Sequence, residues 1–344
     1  MGMKKFISLL FTLLLVFGVF YSCRSVPDYD PPPAWFFDLE QVYPQKEYFA
    51  RIGSGITTEE AILSAQTELA SYFSTNIKQI VESNNLMEEN NDGSVDKAKS
   101  VHVYSVSTTD LNFFAMEKSK SFYFKSDEKW YAVAYINKEK AWNQYEPLVR
   151  DSMNSFYSVF NLTKNTDDPL EKIKIYKAAQ KEGEEFINRL YKAVIISKER
   201  TEKTFGEGRK TYASIPGMIQ NEKGRCILYF NINEDYAGMI RAKINQIFTN
   251  LKFPVTETES KAFYKVQVKL DYNQNNEDDL IVMNPSLNVQ FLNGDGVKYV
   301  YDAALERVLS YNIDKAKKTS CSQAVQNLDE NLEKDFLLKT EIGK

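Results

Sequence analysis

Between Phe6 and Phe20 the chain carries no charge, and Lys4 and Lys5 stand just before it. A run of this length fits the apolar core of an export signal and falls short of the roughly 20 residues that span a bilayer. It closes on Tyr21-Ser22-Cys23, and residues 24–33 are polar and end in Pro31-Pro32-Pro33. That composition predicts a stiff tether rather than a packed segment. From Ala34 the pattern becomes that of a folded body. Residues 48–55 read as a short strand with a glycine turn. Thr57 and Glu60 form a capping pair for a helix whose apolar positions Ala61, Ala65, Leu69, Phe73, Ile77 and Ile80 carry it to about Val81. Residues 82–99 read as loop or frayed helix, and 101–106 as a strand. Residues 115–124 and 129–136 predict a hairpin across 125–128. Helices are expected over 138–162 and, from the Asp168-Pro169 start signal, to about Val194.

Residues 201–224 show no clear period. A strand over 227–232 leads to an amphipathic helix through Ile240, Ile244, Ile247, Phe248 and Leu251. Tyr264, Val266, Val268, Leu270 and Tyr272 alternate with polar residues, the pattern of a strand with one wet face. Residues 273–279 read as a polar loop. Strands over 287–292 and 297–301 pair across Asn293-Gly294-Asp295-Gly296, a strong turn. Asp314 is expected to cap a last helix with the stripe Cys321, Val325, Leu328, Leu332 and Phe336. The fold class is therefore α+β: two small open-sandwich modules of antiparallel sheet and packed helices, each in the order β-α-β-β-α, after a signal peptide. The domain plan is a signal peptide over 1–22, a lipidated cysteine and tether over 23–33, a first α+β domain over 34–162, a linking helix over 163–200 and a second α+β domain over 201–344.

The small Ser22 before Cys23 changes the picture most. It marks Cys23 as a lipidation site, cut so that the acylated cysteine becomes the first residue. Phe20 and Tyr21 are bulkier than is usual there. Each buried methylene is worth about 0.8 kcal/mol, so two or three acyl chains (palmitate and its like) would hold the chain on a membrane almost permanently. Arg24 after the cysteine leans toward the outer membrane, with the body facing the periplasm. The formal net charge is −4, and about −6 once Lys4 and Lys5 leave with the leader. No long basic block is present, which argues against a nucleic-acid partner. Cys226 and Cys321 either form a disulfide, as an even pair in an exported chain permits, or stay as core thiols. The place of Cys321 on an apolar stripe favours the second.

Recognisable catalytic chemistry is missing. His102 is the only histidine, so no motif that needs two is present. Gly53-Ser54-Gly55 lacks the third glycine of a dinucleotide loop and is followed by no Gly-Lys-Ser/Thr, so a tight turn into a helix is the better reading. Glu88, Asn90, Asp92 and Gly93 echo a calcium loop, but Lys99 stands where a bidentate Glu is required. Asp278 and Asp279, an adjacent acidic pair, fit a solvated loop better than a glycosidase site. The expectation is no catalytic residue, no metal and no cofactor. With 21 Tyr and 22 Phe, surplus aromatic surface suits protein interfaces or sugar stacking.

Trp35, Tyr43-Pro44, Tyr48-Phe49, Gly53-Ser54-Gly55, the alanine-spaced helix through Ala61, Ala65 and Ala70, and the hairpin from Phe122-Tyr123-Phe124 to Trp130-Tyr131-Ala132-Val133-Ala134-Tyr135 form a pattern. Over about residues 34–145 this resembles the LPP-twenty family of bacterial outer-membrane lipoproteins. The resemblance implies a helix packed on an antiparallel sheet, a lipid anchor and no catalytic residues. It also implies envelope partners: some members are antigens, others flagellar basal-disk or H-ring lipoproteins. The long C-terminal half departs from the short members. It loosely resembles α/β modules of envelope assembly proteins, including outer-membrane activators of peptidoglycan synthases. The function expected is a non-enzymatic, membrane-anchored envelope lipoprotein with a structural or assembly role, in its narrower form flagellar, with self-association open. The alternative is a peptidoglycan-synthase activator.

Overall fold

The computed structural model describes residues 31–89, 114–277 and 279–342. They fall into two compact units. The first holds the described part of 1–69 together with 116–137, and the second that of 70–115 together with 138–344. The division thus lies inside a helix and at a strand–helix junction, not at the expected boundary after residue 162.

In the first unit two helical turns, α1 (Ala34–Phe37) and α2 (Leu39–Val42), precede strand β1 (Tyr48–Gly55) and the start of helix α3 (Thr58–Glu89), whose residues from Ala70 onward belong to the second unit. The capping pair is formed: Thr57 Oγ1 accepts from the Glu60 N–H (3.2 Å) and Glu60 Oε2 accepts from the Ile56 N–H (2.8 Å). The helix runs on past Val81, so the loop expected from residue 82 is helical as far as Glu89. The rest of that loop, the strand expected over 101–106 and His102 lie outside the described residues. Strands β2 (Glu117–Lys118) and β3 (Phe122–Phe124) both pair antiparallel with β4 (Lys129–Asn137), whose other edge pairs with β1. The hairpin arm is broken between β2 and β3 because the Ser119 side chain takes a ladder position, its Oγ accepting from the Val133 N–H (2.9 Å).

Gly53 and Gly55 are not a turn. They are the last residues of β1, and their missing side chains let α3 lie on the strand. A Cβ on Gly53 would stand 2.0 Å from the Ala65 backbone nitrogen, and one on Gly55 2.4 Å from Glu60 Cβ. Ala61, Ala65 and Leu69 are fully buried in this contact. Along β4 the period of two sends Ala132, Ala134 and Ile136 to the helix side and Tyr131, Val133 and Tyr135 to the other.

In the second unit α4 (Lys138–Phe160), α5 (Pro169–Ile196) and α6 (Lys198–Arg225) form an up-down-up bundle. The single linking helix expected over 163–200 is therefore two helices meeting at Ser197, and the stretch that showed no period is the third arm. Phe156, Phe186 and Phe205 are fully buried in it. Close approach is again bought with glycine: a Cβ on Gly183 would meet the Tyr212 ring at 2.6 Å, and one on Gly208 the Met153 sulfur at 2.9 Å.

Strand β5 (Leu228–Ile232), helix α7 (Met239–Asn250), β6 (Tyr264–Glu277), β7 (Leu280–Asn293), β8 (Gly296–Ala304) and β9 (Val308–Ser310) follow, then α8 (Ile313–Asn327), a π-helical turn (Leu328–Leu332) and α9 (Glu333–Lys339). The sheet order is β5-β6-β7-β8, with β9 also on β7. The α+β class holds in both units. The expected pairing of β7 with β8 is present, and the second unit departs from the plan in detail: β5 and β6 are parallel, and β9 adds a strand. The polar stretch from Asn273 is no loop as far as Glu277, because β6 continues as a ladder with β7. The last helix is capped by Asn312, which accepts from the Lys315 N–H (3.0 Å), and Asp314 sits in its first turn. Phe248, Phe291 and Phe336 meet at 5.2 Å centroid distances and join α7, β7 and α9 in one core. Among the described residues, no helix is long and apolar enough to cross a membrane.

Asp168 fastens the bundle to this sheet. It is buried, caps α5 through the Glu171 N–H (3.2 Å), and accepts from the Tyr264 hydroxyl, from Asn293 Nδ2 (2.8 Å) and from Lys298 Nζ (3.3 Å). Burial first, and this carboxylate second, push the Tyr264 phenol far above its usual range. Two stability predictions follow from this packing. Replacing Asp168 with Ala strands the buried Tyr264 hydroxyl and removes the acceptor of the partly buried Asn293 and Lys298, and should cost on the order of 3 kcal/mol in urea unfolding; an unchanged midpoint would show the carboxylate to be peripheral. Gly53→Ala forces a strand–helix overlap and should cost about 1–3 kcal/mol, read as an earlier loss of the first unit's protection in hydrogen exchange.

Candidate functional site

The first unit's second sheet face is built almost wholly of rings. Asp38, whose carboxylate accepts from the Gln41 N–H (3.2 Å), starts α2 and turns the chain so that Trp35, Phe36, Leu39 and Tyr43 lie across β1 and β4. Trp35 is buried with Ala50 and Val133. Phe36 is the hub, with ring centroids 5.1 Å from Phe122, 4.9 Å from Phe124 and 5.1 Å from Tyr131. Phe37 packs on Phe36 at 5.7 Å and is otherwise 74% exposed. The other hub residues are half-buried, so the rings form a continuous apolar surface reaching solvent. Phe36 meets Phe122 and Tyr131 edge to face, an arrangement that aromatic pairs prefer.

At the far end of the face Tyr43, Tyr48 and Tyr135 cluster, with Tyr43 and Tyr135 4.5 Å apart. The Tyr135 hydroxyl donates to Glu117 Oε2 (3.0 Å). Burial, then the Glu117 hydrogen bond, push the Tyr135 phenol up to about 12, and burial and Tyr48 raise Tyr43. The raised phenols of Tyr43 and Tyr135 stay protonated. The face thus offers rings at its centre and phenol oxygens at its rim, a surface suited to apolar side chains or sugar rings.

Of the residues singled out from the sequence, Cys23 lies outside the described residues. Cys226 and Cys321 are both free and fully buried, so no disulfide joins them. Cys226 closes α6 and Cys321 lies inside α8, each enclosed by core; burial raises both thiols and keeps them protonated, hence weak nucleophiles. Glu88 lies in α3, while its supposed partners in a calcium loop lie outside the described residues, as does Asp278; Asp279 is in the β6–β7 turn. Among the described residues no group of three His, Cys, Asp or Glu could hold a metal ion. Sequence reading had Asp168 only as a cap; its tertiary partners lie roughly a hundred positions away and leave no local signal. The aromatic face did leave one, in the run Trp35-Phe36-Phe37 beside a hairpin rich in Phe and Tyr.

No protein-family model matches the chain, and no curated protein matches it. Among solved structures, the secreted protein HP1454 from Helicobacter pylori aligns with 83% of this chain and 100% of its own, at 14% identity and a TM-score of 0.30. A minor lipoprotein from Acinetobacter baumannii aligns with 34% of this chain and 94% of its own, at 8% identity and a TM-score of 0.22. A neuraminyllactose-binding hemagglutinin homolog from Helicobacter pylori aligns with 34% of this chain and 87% of its own, at 11% identity and a TM-score of 0.21. The first is described as secreted and the second as a lipoprotein.

The tyrosine cluster makes a spectroscopic prediction. Tyr135 favours its protonated form in the fold, so its contribution to stability is intact below pH 10 and is lost as pH rises from 10 through about 12. The difference titration between the parent protein and Tyr135→Phe should show this late phenol. Glu117→Gln should bring it down only part of the way, since burial remains; a phenol titrating at 10 in the parent would remove the cluster's electrostatic account.

Proposed function

We propose that this chain is a non-enzymatic envelope lipoprotein, anchored through lipid on Cys23, that serves as a structural or assembly component. The observation that carries this reading is the uncharged run from Phe6 to Phe20 closing on Ser22-Cys23, with a proline tether that leads directly into the aromatic face. The lipid confines the chain to a membrane surface, and confinement raises the effective concentration of partners on that surface without new contacts. The exposed ring of Phe37, seated on the half-buried Phe36, supplies the contact. Retention at the outer membrane, facing the periplasm, and work beside the flagellum are the finer forms of the proposal, supported by Arg24 and by the resemblance to LPP-twenty lipoproteins.

Cys23→Ser should abolish incorporation of labelled palmitate and release the chain from the membrane fraction. Phe37→Arg should leave lipidation and the thermal midpoint unchanged while cutting in-cell crosslinks to envelope partners at least fivefold, an effect of about 1 kcal/mol. Retained palmitate in Cys23→Ser would overturn the anchor, and undiminished crosslinks would remove the aromatic face from the contact. Recovery of a peptidoglycan synthase would shift the reading to the activator; flagellar ring or rod proteins would support the narrower form.

A further inference from the structure

We propose that a cleft in the helical unit binds a small amphiphilic carboxylate, one anionic head on an apolar body. The inference is independent of how the chain is anchored. The cleft lies where the second half of α3, the end of α5 and the start of α6 converge, and its volume is about 340 Å³. That is within the range of small-ligand sites, about 300–1,000 Å³, and near its lower end, so it suits a body of roughly ten carbons. One wall is aliphatic, made by Ile80, Leu190, Val194 and Ile195. The other carries Lys198, Glu202 and Arg209, two cations against one carboxylate.

The state of Arg209 points to the head group. Its Nη2 donates to Glu202 Oε2 (3.1 Å), while its Nε is buried and has no hydrogen-bond partner. A guanidinium presents Nε and its neighbouring Nη as a parallel fork that matches the two oxygens of a carboxylate. Glu202 uses only part of that donor set. A buried donor left unmade is unfavourable, and because this Nε is closed to solvent, a small turn of the partly exposed guanidinium would bring it to a ligand oxygen and complete it. Lys198, exposed at the first turn of α6, adds a second positive charge at the mouth. The aliphatic wall selects against bare inorganic anions, and the cations select against neutral lipids.

The test is equilibrium dialysis of the full chain against sodium decanoate below its micelle concentration, with decanol and inorganic phosphate as comparison probes. The expected result is one saturable decanoate site, with decanol and phosphate each at least tenfold weaker. Arg209→Gln should weaken decanoate tenfold or more. Lys198→Glu changes an exposed residue, retains the fold and should weaken it similarly, which keeps the test informative if the Arg209 variant does not fold. Leu309→Ser, at an exposed apolar position on β9, should leave binding unchanged. Non-saturable uptake, equal affinity for decanol or for phosphate, or binding indifferent to Lys198→Glu would each overturn the proposal.

Discussion

A carboxylate buried at the base of the bundle sets the terms for the second unit. Taking Asp168 out of water is costly unless every lone pair finds a donor. Its donors come from the α5 backbone, from Tyr264 at the start of β6, from Asn293 at the end of β7 and from Lys298 on β8. The Tyr264 hydroxyl in turn accepts from the Leu170 N–H (3.2 Å), and Arg225 at the end of α6 donates to the Asp167 carbonyl (3.3 Å). No member of this set can be shifted without stranding another. The bundle and the sheet are consequently one body, although the sequence pattern reads residues 163–200 of that bundle as a helix linking two domains. An apolar contact of equal area would tolerate sliding; the hydrogen-bond geometry does not.

The first unit solves a different problem. A sheet of four short strands has little area to bury, so both its faces must be used. Glycine on β1 brings α3 close on one side, and the alternation along β4 leaves Tyr131, Val133 and Tyr135 for the other. Two helical turns are too small to cover that side. The uncovered remainder is what Phe36 and Phe37 present to solvent. The surface proposed for partners is thus a consequence of economy in the fold: the same rings that complete the core overrun its edge.

The elements legible in the sequence are those whose burial is one-sided and regular. The β6 alternation, the Ala61–Leu69 stripe, the Asp168-Pro169 cap and the turn at Asn293–Gly296 all declare themselves locally. Helix α6 does not. Gly206, Gly208, Pro216, Gly217 and Gly224 read as breakers, and its apolar residues are sparse. Yet Gly208 is where Phe186 and Met153 fill the space a side chain would take. Its helicity is imposed by neighbours, as tertiary context overrides propensity. The polar end of β6 fails for a related reason. Asn273 to Glu277 pair with β7 through the backbone while their side chains stay largely in water, so no period of two can appear. Helix α8 is capped two residues earlier than expected because Asn312 and Asp314 are both good caps, and Ser310, whose side chain accepts from the Asn312 N–H (3.1 Å), selects the first.

The aromatic face has no such ambiguity, because its position in the chain is part of its meaning. Whatever conformation the stretch from Cys23 to Ala34 adopts, eleven peptide steps reach at most about 40 Å. A lipid on Cys23 would therefore hold Ala34 within that distance of the bilayer surface, with Phe36 and Phe37 in the helical turn that it begins. A partner that reads these rings must itself lie in the thin layer next to the membrane. A long tether would let an anchored body search widely; one this short would confine it to the anchoring face. Anchor, tether and rings are contiguous in sequence, so lengthening the proline segment should move the surface away from its neighbours without altering a single contact within the fold. Geometry of that kind favours a fixed assembly component over a regulator that must reach a distant enzyme.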